Sequence, residues 1–133
     1  MEFVNGTLGD LLENITLIRK MIPKKSSLTA KEIVERLSNK EYGVKIATEN
    51  NQLSGIFVWY EENDYLYLWL GAIKEPGNGV GTEMLKEIEK EVHYPRWFVK
   101  TALDNYAAIG HLQKNGFNSY NVEKNIIYLE KFF

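Results

Sequence analysis

Cysteine is absent from the 133 residues, which excludes disulfides, thiolate metal sites and a covalent thiol nucleophile. Charge of one sign is also missing. The formal net charge is only -2, with acids and bases interspersed, so no basic field favours nucleic acid or an anionic membrane surface. Long apolar runs are lacking too, and residues 1–6 carry neither a charged n-region nor an apolar h-region, which predicts a cytoplasmic protein. Repeats, low-complexity segments and linkers do not occur, and the length suits one domain over residues 1–133. What the chain does have is packing material. Hydrophobic residues make up 44% and include 8 Tyr, 6 Phe and 3 Trp, enough for a core without covalent staples.

The hydrophobic pattern predicts an α/β domain with a mixed, mostly antiparallel sheet. Asp10 and Glu13 read as a capping box for a helix over residues 10–21, with Leu11, Leu12, Ile15 and Ile18 on one face before Pro23. Thr29 and Glu32 form a second box ahead of Ile33, Val34 and Leu37. Two β-rich stretches, residues 42–48 and 53–60, flank the turn Glu49-Asn50-Asn51-Gln52. A third strand starts at Tyr65. In it Tyr65, Tyr67 and Trp69 alternate with Leu66, Leu68 and Leu70, so each trio is expected on its own face. A helix over residues 83–92 buries Met84, Leu85, Ile88 and Val92. A strand at Trp97-Phe98-Val99, a short helix over residues 105–114 ending at Asn115-Gly116, and one or two strands including residues 126–129 complete the order α-α-β-β-β-α-β-α-β(β).

Between the third strand and its helix lies Gly77-Asn78-Gly79-Val80-Gly81-Thr82. A helix start leaves backbone N–H groups without intrahelical partners, and its dipole favours an anion. Glycines let the main chain approach a pyrophosphate and take φ > 0. The spacing fits neither common nucleotide loop. A Walker loop needs Gly-Lys-Ser/Thr, and the dinucleotide fingerprint needs a third glycine where Thr82 stands.

Over essentially its whole length the sequence resembles the GNAT acetyltransferase superfamily. Two helices, a meander, a glycine loop, a strand and a short helix ending in Gly-Phe follow that family's running order. Gly79 and Gly81 occupy the glycine places of its cofactor motif, with Pro76 where Gln or Arg is usual. Asn105, Ala108, Gly116 and Phe117 match a second motif, Asn-x-x-Ala with Gly-Phe eleven residues after the Asn. The resemblance implies acetyl-CoA as co-substrate and no metal. It implies pantetheine along Leu70, Gly71, Ala72 and Ile73, the pyrophosphate on Gly77, Asn78, Gly79, Val80, Gly81 and Thr82, and a bond from Asn105 to the pantetheine arm.

The activity so implied is transfer of an acetyl group from acetyl-CoA directly to a primary amine of a small molecule or peptide. Its partners are then acetyl-CoA, an amine acceptor and, as an option, a second copy in a homodimer. Such transfer needs a neutral amine, a proton acceptor, donors for the tetrahedral oxyanion and a proton for the thiolate. The family's usual acid, a Tyr seven residues after the Asn, is Leu112 here. His111 beside it is a substitute acid or a substrate guide, Glu61 and Glu62 are candidate bases, and Trp69 is a candidate acceptor contact. Leu112 also motivates an alternative, an acyl-CoA-binding module without catalysis.

Overall fold

The computed structural model describes residues 1–133, the side chain of Pro23 apart. Seven strands form one sheet in the order β1-β2-β3-β4-β5-β7-β6. They are β1 (Glu2–Asn5), β2 (Tyr42–Glu49), β3 (Gln52–Glu62), β4 (Tyr65–Ile73), β5 (Arg96–Ala102), β6 (Asn118–Glu123) and β7 (Ile126–Phe132). Every neighbouring pair is antiparallel except β4 and β5. The mixed, mostly antiparallel sheet expected from the sequence is therefore present, with β1 as an added edge strand on β2.

The connections follow from short-range chemistry. Asn50 and Asn51 take φ 53 and 63 between β2 and β3, and Asn63 and Asp64 take φ 53 and 68 between β3 and β4. Two successive left-handed residues make the turn whose twist matches a hairpin, and Asn and Asp tolerate that conformation best among residues with a Cβ.

The helices are α1 (Leu8–Glu13), α2 (Ile15–Met21), α3 (Ala30–Leu37), α4 (Val80–Glu91) and α5 (Tyr106–Lys114), with a 3-10 turn over Pro23–Lys25. The single helix expected over residues 10–21 is thus two. Thr7, not Asp10, is the N-cap: its Oγ1 accepts from Asp10 N–H at 3.1 Å, and Asp10 Oδ2 accepts from Thr7 N–H at 2.8 Å. Asn14 then leaves helical geometry at φ -98, ψ 10, and its side-chain amide donates to the Asp10 carbonyl at 2.8 Å. That competing bond explains the break. Thr29 caps α3 as expected, accepting from Glu32 N–H at 3.1 Å.

Helices α1 to α3 cover one face of the sheet, burying Leu11, Ile18, Ile33 and Leu37 against Val44, Ile56, Val58 and Leu70. Helices α4 and α5 cover the other, where Val80, Met84, Leu85, Ile88 and Leu112 meet Phe57, Trp59, Leu66, Trp97 and Leu129. Burial of such side chains contributes roughly 1.5–3 kcal/mol each. The far end of α4 is tied to β2 by the buried Lys45, whose ammonium pairs with Glu91 and donates to Asn5 Oδ1 at 2.7 Å. Among the described residues no helix is long and apolar enough to cross a membrane.

Candidate active site

The parallel neighbours β4 and β5 are joined by only two register pairs, Leu66 with Trp97 and Tyr67 with Phe98. Both strands then continue, to Ile73 and Ala102, without pairing to each other. They form a V with its apex at the stacked Tyr67 and Phe98 rings, whose centroids are 4.8 Å apart. Gly71 is exposed between buried Leu70 and Ala72, as expected where a neighbouring strand has moved away. From Tyr67 to Ile73 the β4 arm runs about 20 Å at ~3.3 Å per residue. Its inner edge can take an extended ligand in the manner of an added strand.

Just beyond the apex, β4 bulges. Its β3 partners step from Trp59, opposite Leu68, to Val58, opposite Leu70, so Trp69 is an extra residue. A bulge re-aims side chains and interrupts the ladder locally. Its effect here is that Trp69 and Leu70 both face the α1–α3 side, while Leu66 and Leu68 face the α4–α5 side. Strict alternation had grouped Leu70 with Leu66 and Leu68, and the inserted residue is the reason it changes face.

At the open end of the V, the chain leaves β4 and enters the glycine loop. Gly77 and Gly79 have φ 96 and 77, and a Cβ at either would meet nothing within 4 Å. A side chain at either position would project into open space. Gly79 is the N-cap of α4 and supplies no side-chain bond, so the first-turn N–H groups have no capping oxygen and the positive helix end faces outward. A cavity of about 390 Å³ borders the loop on the β2–β3 turn side, lined by Asn50, Gln52, Lys74, Asn78 and Val80. It lies outside the V.

Gly81 serves differently. A Cβ there would lie 2.8 Å from His111 Cε1 and 2.9 Å from Nε2, so the absent side chain makes room for the imidazole against α4. His111 Nε2 stands 3.4 Å from Thr82 Oγ1, and Asn115 Nδ2 donates to the same hydroxyl at 3.3 Å and to the His111 carbonyl at 2.8 Å. Burial, and secondarily Lys114, pushes the His111 pKa down, which favours the neutral ring. Leu112 is buried among Trp97, Phe117 and Leu129. Asn105 caps α5, its Oδ1 accepting from Ala108 N–H at 3.4 Å while Nδ2 donates to Thr101 Oγ1 at 3.3 Å.

The two candidate carboxylates fall on opposite faces. Glu61 lies beside Tyr94 on the α4 side; burial, then the bond to Glu61, raises the Tyr94 pKa. Glu62 pairs across the ladder with Tyr65 and acts on the charges of Arg36, Tyr60 and Tyr67. It therefore shares the face of Trp69. The Trp69 indole is itself buried, with the Arg36 guanidinium 5.1 Å over its ring and the Tyr60 ring edge-on at 6.2 Å. Across the V, the Lys100 ammonium stands 5.3 Å from the Tyr67 centroid and 5.6 Å from that of Tyr128. Lys24 bridges to Asp104 at 3.2 Å, linking the 3-10 turn to the start of α5.

No family model matches the sequence, and no curated protein matches it. Solved structures do. The PaiA N-acetyltransferase of Thermoplasma acidophilum, in complex with coenzyme A, superposes with a TM-score of 0.78 at 16% identity, covering 99% of this chain and 98% of that one. A GNAT family acetyltransferase from Elizabethkingia anophelis with acetyl-CoA bound gives 0.72 at 18% identity, over 99% and 97%. A putative GNAT acetyltransferase from Desulfovibrio desulfuricans gives 0.79 at 17% identity, over 98% of each chain. The chain has the GNAT fold. At these identities the likeness is one of architecture.

Within this GNAT fold, the structure brings Leu70, Gly71, Ala72 and Ile73 onto one arm of the V and residues 77–82 to its open end. Asn105, which follows the other arm, stands where α5 begins. His111 and Gly81 come together although thirty positions apart in sequence, and Glu61 is separated from Glu62 and Trp69 by the sheet. Two groups had no sequence signal. Arg36 and Lys100 come from α3 and β5, and nothing in their local patterns says that both reach aromatic rings at the apex. The Thr82–His111–Asn115 cluster was equally hidden, because α4 and α5 meet only in three dimensions.

Proposed function

We propose that the protein is an acetyl-CoA-dependent N-acetyltransferase that moves the acetyl group directly onto a primary amine. The observation that carries this reading is the V between β4 and β5, leading from an open, uncapped helix start to a β-bulge. In this arrangement the N–H groups of residues 77–82 hold the pyrophosphate, the inner edge of Leu70, Gly71, Ala72 and Ile73 pairs with the pantetheine arm, and Asn105 turns its amide to the same arm. Exposed main chain at Gly71 and open space before Gly77 and Gly79 fit such a ligand.

Acetyl-CoA supplies the activated carbonyl. Backbone N–H groups at the Trp69 bulge face the developing oxyanion, and a fixed donor of this kind contributes roughly 10²–10³ in rate. The amine nitrogen attacks from the α1–α3 side, the C–S bond breaks, and the thiolate leaves. A thiol of ordinary pKa ~8.5 is a good enough leaving group for water to protonate it, so Leu112 is compatible with turnover. The rate forgoes the roughly 10²–10⁴ that a placed acid typically contributes. Glu62, on the acceptor face, takes the ammonium proton through water. His111 acts as a brace holding α5 against the start of α4.

Free CoA released from acetyl-CoA in the presence of a broad amine panel tests the reading, and a panel without any release defeats it. Glu62→Gln should lower kcat about tenfold with CoA affinity unchanged. The buried Leu112 in the acid's place favours one other reading, an acyl-CoA-binding module, which predicts CoA affinity without release.

A further inference from the structure

The side of the apex that the amine must approach is lined by aromatic rings and by cations. Tyr60, Tyr67, Trp69 and Phe98 are buried there, with the half-buried Tyr128 beside them. Uncovered rings in that number would attract an ammonium ion through their faces. Here the chain's own cations already occupy them: Arg36 lies over Trp69, Lys40 over Tyr60, Lys100 over Tyr67 and Tyr128, and Arg96 over Phe98. What faces outward is positive charge.

The carboxylates nearby leave part of that charge unmatched. Arg96 is paired with Glu130 at 2.9 Å and Lys24 with Asp104 at 3.2 Å. Arg36, Lys25 and Lys100 take part in no ion pair among the described residues. Glu62 acts on Arg36 and Glu32 on Lys25 only at longer range. Arg36, whose Nη1 donates to the Tyr60 hydroxyl at 3.3 Å, is fixed in place over Trp69. Lys100 follows the apex residue Phe98 by two positions on the same face of β5, so one cation stands on the β5 arm of the V while the other, from α3, lies over Trp69 of the β4 arm.

Resting on the acceptor-side reading above, we propose that the acceptor is a small primary amine that also carries a carboxylate, its anionic end bound by Arg36 and Lys100. Cationic acceptors such as polyamines meet like charge on both arms. The same field favours the reaction itself. A nearby positive charge lowers the pKa of the acceptor ammonium, which raises the fraction of nucleophilic free base where the chain places only Glu62 to take the proton.

The test compares free amino acids with their own carboxamides, and with spermidine, in the acetyl-CoA assay. The carboxylate form should be used with kcat/KM about tenfold above its carboxamide, and spermidine should be the poorest. Lys100→Glu should erase or invert that order, Lys100→Met should reduce it, and Lys31→Glu, an equal charge change on the outer side of α3, should leave it intact. Equal use of acid and amide, or a preference for spermidine, overturns the proposal. Should no amine release CoA, the transfer reading falls separately, and binding of the same probes to the CoA-loaded protein, followed by NMR shifts of the Trp69 indole and Tyr128 ring, decides this one. A shift with the acid alone, lost in Lys100→Glu, supports it; equal shifts with acid and amide overturn it.

Discussion

The two ends of the V are built from different material. Its open end is main chain: positive-φ glycines, an uncapped helix start and an unpaired strand edge. Its apex is side chains gathered from α3, β4, β5 and β7. Backbone geometry can serve one invariant ligand, because every residue has the same N–H and only its presentation matters. Side-chain chemistry can be changed one residue at a time without disturbing that presentation. On the proposed function, such a division would let one framework keep its cofactor while the acceptor changes.

Gly79→Glu should break the open end most severely. A Cβ at Gly79 meets nothing within 4 Å, so the variant folds, with about 1–2 kcal/mol lost to the left-handed conformation. Its carboxylate then projects where the phosphates are expected, and calorimetry should show CoA affinity reduced at least about a hundredfold. Retained affinity would move the pyrophosphate elsewhere. Acceptor selectivity, built at the other end, should survive wherever residual turnover can be followed.

That division also governs what could be read from the sequence. The glycine loop was legible because φ > 0 and close approach restrict the residue type, and Asn105 with Gly116-Phe117 was legible because a helix start and stop leave local marks. The turn at Asn50-Asn51 was legible for the same reason. The splay of β4 from β5 was not, since pairing partners are remote in sequence. The Trp69 bulge was invisible because an inserted residue keeps the alternating pattern intact while changing what it means after Leu68. Arg36 and Lys100 look like ordinary surface cations until the fold sets them over Trp69 and Tyr67. Asn14 misled in another way: the apolar stripe runs straight through it, and only its bond to the Asp10 carbonyl breaks the helix.

A smaller effect is expected where α5 supports the loop. Gly81→Ala places a methyl 2.8 Å from the His111 ring and should cost about 1–3 kcal/mol by overpacking, read by urea unfolding, with a severalfold loss of CoA affinity as the first turn of α4 shifts. His111→Ala should weaken CoA binding less and leave kcat unchanged. Combined, the two should be less damaging than their sum, because removing the ring removes the clash. Strict additivity would mean that the imidazole does not brace α4, and a fall in kcat for His111→Ala alone would return it to the list of catalytic groups.

The gentlest probe of the same contact is pH. The folded-state pKa of His111 lies below the ordinary 6.5 because of burial first and Lys114 second, so the unfolded chain takes up the proton before the folded one as pH falls. The stability contributed by the neutral ring is complete above about pH 6.5 and is lost as pH drops through the depressed value. His111→Gln, which cannot titrate, should lack this component. The difference in Tm between wild type and variant should therefore shrink between about pH 7.5 and pH 5. If that difference stays constant, the imidazole is free to ionise in the folded chain and the contact with α4 is looser than the Gly81 geometry implies. The main-chain end of the V would then lean on a side chain less than its crowding suggests, making the division between the two ends sharper still.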